Sequence, residues 1–504
     1  MSDKIVIGKH TLESITSGMY SDPFVVFREY IQNAVDSIDN AVDKGIIKNG
    51  EGQIIVKLAP LEKRIIIKDN GIGISASEAE NTLISIGNSK KTSDTARGFR
   101  GIGRLSALSY CEKLTFITTT SGEKLATKVT LDAFKLSQLL SSEVNDNKTV
   151  VEVLKEIYSV EYNPEDESAH YFIVEMDGVQ DNSNLNTYDD VIDYLKQNVP
   201  VPYDPSFVWG KEITNRLRQE GYCIDTYNVS VIFGTKLTPI YKPYCDEFLV
   251  DKSKNIKDHI HDIDIVSIDH EDGTRCAIGW LAKTSYLGSI YDKSIKGIRL
   301  RKGNILIGDQ QTLNIVFKDA RFNGWSIGEI FAVDKQLIPN ARRDNFEKNT
   351  ACFFLLEQLS RLSSSITKDI RAASLKRNSE LSSAIAETDK VSRAAKEAID
   401  SGIAHNQKGV ISHKLKTAQR TVLNSCISDD SGDYYQTIAF DELDMLIGKL
   451  KGATSYKALN ALDKLTITEK KILEKVFDTI SSLKIENAEV VIDALLDAFD
   501  SEGK

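Results

Sequence analysis

The chain has 504 residues, of which 41% are hydrophobic and 27% charged, with a formal net charge of −10. This balance is typical of a globular protein, and the length allows about two to four domains. The acidic charge argues against nucleic acid as a partner, although a local basic groove stays open. Six scattered cysteines without a C-x-x-C pair, and no apolar run long enough for a membrane span, predict a cytoplasmic protein without membrane association.

The segment REYIQNAVDSID, residues 28–39, is the first strongly patterned helix. Its apolar positions recur at helical spacing and predict a face packed on a core; they are Ile31, Val35 and Ile38. Glu29, Asn33 and Asp36 recur at the same spacing along the border of this apolar stripe. The pattern leaves two readings open, a solvated helix flank or a row of polar groups directed at a ligand.

A first glycine cluster follows the β-branched runs GQIIVKLAP and RIIIKDNG, which predict two strands of a hairpin. Asp69 stands at the end of the second run, and Gly71 and Gly73 follow it. Glycines allow a ligand to approach the backbone closely, and a carboxylate is a pure acceptor suited to an exocyclic amine such as that of adenine. The alternative reading of these residues is an ordinary Asp-Asn-Gly turn without a ligand.

A second glycine cluster, Gly98, Gly101 and Gly103, precedes a predicted short helix over residues 105–110. Free backbone N–H groups at such a helix start can cradle an anion. The order of these glycines does not fit a dinucleotide fold, and the chain has no G-x-x-x-x-G-K-[ST] phosphate loop. A bound nucleotide would therefore need another architecture.

The ordered set E-x-x-x-N-A-x-D, D-x-G-x-G and G-x-x-G-x-G falls within about 75 residues. It resembles the N-box and the two glycine boxes of the GHKL ATPases, the superfamily of gyrase, the ninety-kilodalton heat-shock chaperone, histidine kinases and MutL. The resemblance implies a Bergerat fold. This is an α/β sandwich with a mixed, mainly antiparallel sheet and ATP bound on its helical face.

The resemblance also implies residue roles. Glu29 matches the general base, Asn33 the Mg²⁺ ligand and Asp69 the carboxylate that reads adenine, while Asp36 stands where the family has a nucleotide-side carboxylate. The glycines and their neighbour expected to line the base and the phosphates are Gly71, Gly73, Gly98, Gly101, Ile102 and Gly103. Residues 85–100 match the mobile ATP lid. Its candidates for phosphate contact are Lys90, Lys91, Arg97 and Arg100; the alternative is that these residues belong to a solvated charged loop.

One family feature is missing from the predicted pocket. In the family, a Gly-Thr pair at the start of a late strand usually completes the ATP pocket. The comparable strand here lies in SAHYFIVEMDG and has no Gly-Thr before it. Thr127 is the candidate substitute, on an earlier strand.

A proline-rich stretch, NVPVPYDPSFVWG, predicts a boundary between an ATP-binding domain over 1–200 and a transducer-like α/β domain over 201–350. Within the second domain, QLIPNARRDNFE resembles the loop of the heat-shock chaperone's middle domain whose arginine reaches the γ-phosphate. Arg343 is the matched arginine and Arg342 the second choice; a surface loop with two arginines is the alternative. Strands are also predicted in this domain, among them VSVIFG.

Residues 351–504 predict a helical region for dimerisation or partner binding. A capping box is expected at Thr466–Glu469, and a loop over SCISDDSGDYYQ. The histidines of DHIHDIDIVSIDH, residues 258–270, have no standard zinc spacing and favour a surface strand.

The combined prediction is an ATP- and Mg²⁺-dependent ATPase of the heat-shock-chaperone-like branch that acts on a client or partner protein, expected as a homodimer. Histidine kinases carry an asparagine where this chain has Glu29, so the kinase branch fits poorly. Two alternatives stay open. One is a DNA-associated ATPase like MutL or gyrase, and the other a weakly hydrolysing nucleotide switch in a defence or stress complex.

Overall fold

The structure is a computed structural model that describes residues 8–9, 11–13, 22–85, 103–141, 148–253, 255–401, 403, 405–424, 430–452, 466–482 and 491. The chain divides into two compact units, Met1–Thr367 and Lys368–Lys504. The predicted fold class is confirmed, because mixed α/β layers are followed by a helical C-terminal region. The domain limits at residues 200 and 350 stay a prediction.

An eight-stranded sheet organises the first part of the first unit. Its strands are β1 (Gln53–Ala59), β2 (Arg64–Asp69), β3 (Lys113–Thr119), β4 (Leu125–Asp132), β5 (Tyr158–Pro164), β6 (Tyr171–Asp177), β7 (Asn228–Phe233) and β8 (Lys236–Pro239). Their order is β5-β4-β3-β6-β2-β1-β7-β8, and every pairing is antiparallel except that of β1 with β7. The hairpin of β1 and β2 is confirmed. β7, expected in the transducer-like region, instead extends this sheet.

Helices cover one face of the sheet. They are α1 (Val25–Asp43), α2 (Ala76–Ile84), α3 (Ala133–Ser141), α4 (Val150–Ile157) and α5 (Tyr188–Asn198). Alternate residues of β1 and β2 enter the same core as the apolar stripe of α1, as the two-residue period of a strand requires. α1 begins just after Pro23 and ends before Gly45, whose φ of +69° suits a glycine and stops the helix.

A second sheet lies further along the first unit, after α6 (Trp209–Gln219) and a two-stranded sheet of β9 (Glu247–Asp251) and β10 (Ile256–His259). Its strands are β11 (Asp262–Asp269), β12 (Arg275–Lys283), β13 (Gly297–Lys302), β14 (Ile305–Ile307) and β15 (Ile327–Ala332). They run in the order β11-β12-β15-β13-β14, with β13 and β15 parallel. A core centred on Trp280 packs this sheet against α6.

The C-terminal helices are α7 (Thr350–Ser401), α8 (His405–Asn424), α9 (Asp430–Gly452) and α10 (Ile467–Ser482). The capping box at the start of α10 is confirmed, because Thr466 and Glu469 exchange side-chain and backbone hydrogen bonds. The predicted loop over SCISDDSGDYYQ is wrong from Asp430 onward, where α9 begins. Within the part of the chain that the structure describes, no helix combines the length and apolar character needed to cross a membrane.

Candidate functional site

The polar row of α1 is withdrawn from solvent. Glu29 is 7% exposed and Asp36 4% exposed, and Asn33 is half-buried. Charged side chains are seldom buried to this extent without a partner or a function. The reading of this row as a solvated helix flank is therefore excluded for the two carboxylates.

The turn after β2 packs directly on α1. The buried carboxylate of Asp69 accepts a hydrogen bond from the N–H of Gly71 at 2.9 Å. The N–H of Ile72 donates to the carbonyl oxygen of Ser37 on α1 at 3.1 Å. A Cβ on Gly71 would lie 2.2 Å from the Oγ of Ser37, so only glycine allows this approach. Asp69 thereby faces the same helix that carries Asn33 and Asp36.

The second glycine of this turn is required for a different reason. Gly73 has a φ of +71°, and a Cβ there would lie 1.8 Å from the carbonyl oxygen of Thr119. The hydroxyl of Thr118 accepts from the N–H of Ile74 and donates to the carbonyl oxygen of Tyr171. The turn is therefore held by β3 and by the start of β6, as well as by α1.

The last glycine of the second cluster closes on Glu29. Gly103 opens a 3₁₀ helix, Gly103–Ser109, in place of the predicted short helix over 105–110. A Cβ on Gly103 would lie 2.1 Å from the Oε2 of Glu29. The hydroxyl of Tyr30 donates to the carbonyl oxygen of Arg104 at 2.8 Å, which fixes this 3₁₀ helix to α1.

Arg104, which follows the segment that resembles the ATP lid, contacts the first residue of that segment. Its guanidinium donates to the carbonyl oxygen of Ser85, and burial lowers the pKa of Arg104 to about 10. The remaining predicted residues of the lid and the second glycine cluster lie outside the described residues; they are Lys90, Lys91, Arg97, Gly98, Arg100, Gly101 and Ile102.

Arg343 reaches the site from the segment that follows β15. Its Nε lies 3.3 Å from the Oε1 of Glu29, and both side chains are about nine-tenths buried. Arg343 has a φ of +57°, and its carbonyl oxygen accepts from the N–H of Gly308 at 2.8 Å. The side chain of Arg342 is exposed. Of the two arginines named from the sequence, the structure therefore brings Arg343 to Glu29.

Three residues in and around the site were not anticipated. Arg28 donates through Nη2 to the carbonyl oxygen of Arg342 at 3.1 Å. Gln32 is 1% exposed, and among the described residues neither its amide oxygen nor its amide nitrogen has a hydrogen-bond partner. A ring nitrogen of His170, Nδ1, lies 2.9 Å from the carbonyl oxygen of Gly71. For Arg28 and Gln32, the only signal in the sequence was their position on either side of Glu29 in the same helix.

The position of His170 bears on the missing Gly-Thr. His170 immediately precedes β6, the strand that pairs with β2 and its terminal Asp69. Thr127, the candidate from the sequence, lies on β4, with β3 and β6 between it and β2. From this side, His170 and Thr118 therefore form hydrogen bonds with the turn that follows Asp69.

The arrangement combines parts that suit a phosphorylated ligand. It has buried carboxylates, an amide oxygen at Asn33, an arginine, and glycine backbone that leaves room for close approach. Oxygen donors of this kind also suit Mg²⁺, which keeps several of its own waters. The buried amide of Gln32 has no hydrogen-bond partner among the residues that the structure describes, and it lies one helical turn after Glu29.

Residues 20–157 match the family model described as histidine kinase-, DNA gyrase B- and HSP90-like ATPase. That span contains α1, the Asp69 turn and Gly103. Together with the sheet and the site geometry, the match shows that this part of the chain is similar to the ATPase domains of that family, the GHKL superfamily.

The curated relatives indicate the branch. The chain is 26% identical to the chaperone protein HtpG of Shouchella clausii over 210 residues, which cover 38% of this chain and 32% of the relative. It is 28% identical to HtpG of Halalkalibacterium halodurans over 214 residues, covering 38% and 32%. The HtpG of Clostridium perfringens strain 13 is 26% identical over 239 residues, covering 44% and 36%. The matches thus span about a third of these relatives' length, and they confirm the resemblance to the heat-shock-chaperone-like branch.

Proposed function

We propose that the chain binds Mg²⁺ and ATP between α1 and the two glycine segments, and hydrolyses ATP to ADP and phosphate. The observation that carries this proposal is the position of Glu29. Its buried carboxylate packs against Gly103 on one side and lies 3.3 Å from Arg343 on the other. A buried acid beside an arginine is the pair that attack of water on a phosphoryl group needs.

Binding of the base would use the Asp69 turn. The buried carboxylate of Asp69 offers an acceptor to the exocyclic amine of adenine. Gly71 and Gly73 present backbone without side chains, so the base can lie against them. Asp36 would contact the nucleotide from the helix side, and the unmatched Gly-Thr position would be served by His170.

Binding of the phosphates would use the other end of α1. The amide oxygen of Asn33 would hold Mg²⁺, which neutralises phosphate charge when bound. Gly103 ends the second glycine cluster, whose backbone N–H groups would cradle the phosphates. The lid residues outside the described part of the chain stay predicted phosphate contacts. Their lysines and arginines would add positive charge.

Hydrolysis would proceed through Glu29 and Arg343. Glu29 accepts a proton from the attacking water, and Arg343 neutralises charge on the transferred phosphoryl group. These two side chains contact each other in the structure. The γ-phosphate would compete for Arg343 and so leave the Glu29 carboxylate available as a base.

The test compares Glu29→Gln and Glu29→Ala with wild type in calorimetry with Mg²⁺ and ATP and in steady-state hydrolysis. Both variants should bind ATP within a few-fold of wild type, while turnover falls by about 10²–10⁴-fold. Asp43→Asn is the matched control, an exposed acid on the same helix. Absence of binding heat in wild type would contradict the proposal, as would normal turnover in Glu29→Gln. Binding without turnover in wild type would favour the nucleotide-switch alternative.

The output proposed for this cycle is a conformational change that acts on a partner protein in the cytoplasm. The HtpG relatives are chaperones by name. We propose a homodimer formed through residues 351–504, which sedimentation of the full chain would test. ATP-loaded Glu29→Ala is the bait for a partner. Hydrolysis stimulated by DNA and weakened by salt would instead support the DNA-associated alternative.

A further inference from the structure

Three side chains with metal-binding atoms meet beyond the nucleotide site, in the second sheet of the first unit. His270 follows β11, Cys276 is the second residue of β12, and Asp334 lies two residues after β15. One ligand atom from each lies within 4.8 Å of those of the other two. Imidazole nitrogen, thiolate sulfur and carboxylate oxygen are donors that zinc prefers. We propose that His270, Cys276 and Asp334 form a binding site for a divalent metal of the zinc class.

One pair of these atoms has a spacing close to that in a tetrahedral site. The Nε2 of His270 lies 2.9 Å from the Oδ2 of Asp334. Two ligands with bonds of about 2.0 Å to a tetrahedral zinc ion are about 3.3 Å apart, so these atoms need to separate by only a few tenths of an ångström. Three protein ligands leave a fourth position for water, as in zinc sites that are not closed.

The backbone holds the three ligands in place without a metal. The N–H of His270 donates to the carbonyl oxygen of Thr274 at 2.8 Å, which closes the turn between β11 and β12. The N–H of Asp334 donates to the carbonyl oxygen of Cys276 at 3.0 Å. The ring of His270 stacks on Phe354 at 4.5 Å between centroids. A metal would therefore bind a largely preformed set of ligands.

The thiol of Cys276 is the buried ligand of this cluster. Cys276 is 0% exposed, so its sulfur lies inside the protein next to the other two ligands. A metal would displace the thiol proton and form a metal–thiolate bond, with one proton released. The ammonium of Lys302 donates to the backbone carbonyl oxygens of Val333 and Asp334.

A second group of potential ligands, Asp258, His259 and His261, fits a metal less well. The carboxylate of Asp258 already accepts three backbone N–H groups, those of His259, Ser285 and Leu287. The Nε2 of His261 lies 2.8 Å from the hydroxyl of Ser285. These contacts satisfy that cluster, and it serves as the comparison in the test.

The experiment uses the full chain, stripped of metal with a chelator and then titrated with Co²⁺ and with Zn²⁺. One equivalent of Co²⁺ should produce a thiolate-to-cobalt charge-transfer band, and competition with a chromophoric chelator gives the zinc affinity. Cys276→Ser and His270→Gln should abolish the band or weaken affinity by more than about 100-fold, since loss of an outer-sphere partner alone costs about 10–100-fold. Replacing the exposed Cys223 and Cys245 by serine should leave binding unchanged.

Two outcomes for Cys276→Ser would overturn the proposal. One is equal metal affinity in wild type and Cys276→Ser, including the case in which neither binds. The other is binding that persists in Cys276→Ser but is lost in His261→Ala, which would assign the metal to the comparison cluster. If Cys276→Ser does not fold, Asp334→Asn decides the question, because its side chain is nearly the same size. Wild-type affinity in that variant, with an unchanged circular dichroism spectrum, would also overturn the proposal.

Discussion

At the scale of single residues, the contact between Gly103 and Glu29 defines the candidate reaction centre. Glu29 has its Oε2 where a side chain on residue 103 would begin. The oxygen is the far end of a side chain with rotatable bonds, so an added methyl group would displace the carboxylate and leave the backbone in place. Glycine at this position therefore serves the orientation of Glu29 more than the stability of the fold.

Gly103→Ala should accordingly lower kcat by about tenfold or more, because misplacing a catalytic group by about 1 Å can cost 10²-fold. The urea midpoint of unfolding should change little. Steady-state hydrolysis and chemical denaturation measure the two quantities. Gly448→Ala, in an open position on α9, is the control and should leave kcat unchanged. An unaltered kcat in Gly103→Ala would show that Glu29 does not need its observed position.

At the scale of elements, the second sheet is built around a fully buried ionic group. Glu329 on β15 accepts hydrogen bonds from Lys242 at 2.7 and 2.9 Å and from Tyr203 at 2.7 Å. Arg301 on β13 pairs with the same carboxylate. Burial alone would raise the pKa of Glu329, but Arg301 and Lys242 outweigh it and hold the pKa at about 2. The carboxylate stays ionised because its neighbours are donors and cations.

Glu329→Gln should destabilise the chain by about 3–5 kcal/mol at pH 7, because the buried guanidinium of Arg301 loses its counter-charge. The folded pKa of Glu329 lies below its ordinary value of 4.5. The stabilisation is therefore complete above about pH 4.5 and is lost as the pH falls through about 2. Urea unfolding of wild type and variant should consequently differ less at pH 3 than at pH 7.

The control for this prediction is Glu212→Gln, which breaks an exposed ion pair with Arg216. Exposed pairs contribute about 0–1 kcal/mol, so this change should be small at both pH values. A difference between wild type and Glu329→Gln that stays constant from pH 7 to pH 3 would show that the carboxylate is not held ionised by its neighbours.

At the scale of the whole molecule, residues far apart in sequence complete the site within the first unit. Arg28 donates to the carbonyl oxygen of Arg342, 314 positions along the chain. Arg343, next in sequence, contacts Glu29. Hydrolysis is therefore expected to depend on how the segment after β15 sits on α1, which would couple chemistry to movement of that segment.

Arg343→Ala should reduce kcat by about 10³-fold or more if its guanidinium acts as an arginine finger, while ATP affinity changes less. Arg343→Lys should restore little, because lysine does not reproduce the planar guanidinium fork. Arg342→Ala is the matched control and should retain most activity, since its side chain is exposed and its carbonyl contact survives truncation. Steady-state kinetics would decide; a larger loss in Arg342→Ala would reverse the assignment.

Local patterns in the sequence determined the helix α1, the β1–β2 hairpin, the glycine turn after Asp69 and the family resemblance. Each depends on periodicity or turn chemistry over a few neighbouring residues, which the chain carries wherever it folds. The same patterns singled out Glu29, Asn33 and Asp69, and the resemblance of a later loop named Arg343, although without any distance between them.

Only the tertiary structure decided which distant segments meet. It placed β7 beside β1, brought Arg343 rather than Arg342 to Glu29, and buried Gln32 without a hydrogen-bond partner among the described residues. It also brought together His270, Cys276 and Asp334, whose positions in the sequence do not follow a metal-ligand spacing. The physical reason is that strand pairing and burial depend on packing between segments far apart in the sequence, whereas the residues of one segment determine only the preferences of that segment.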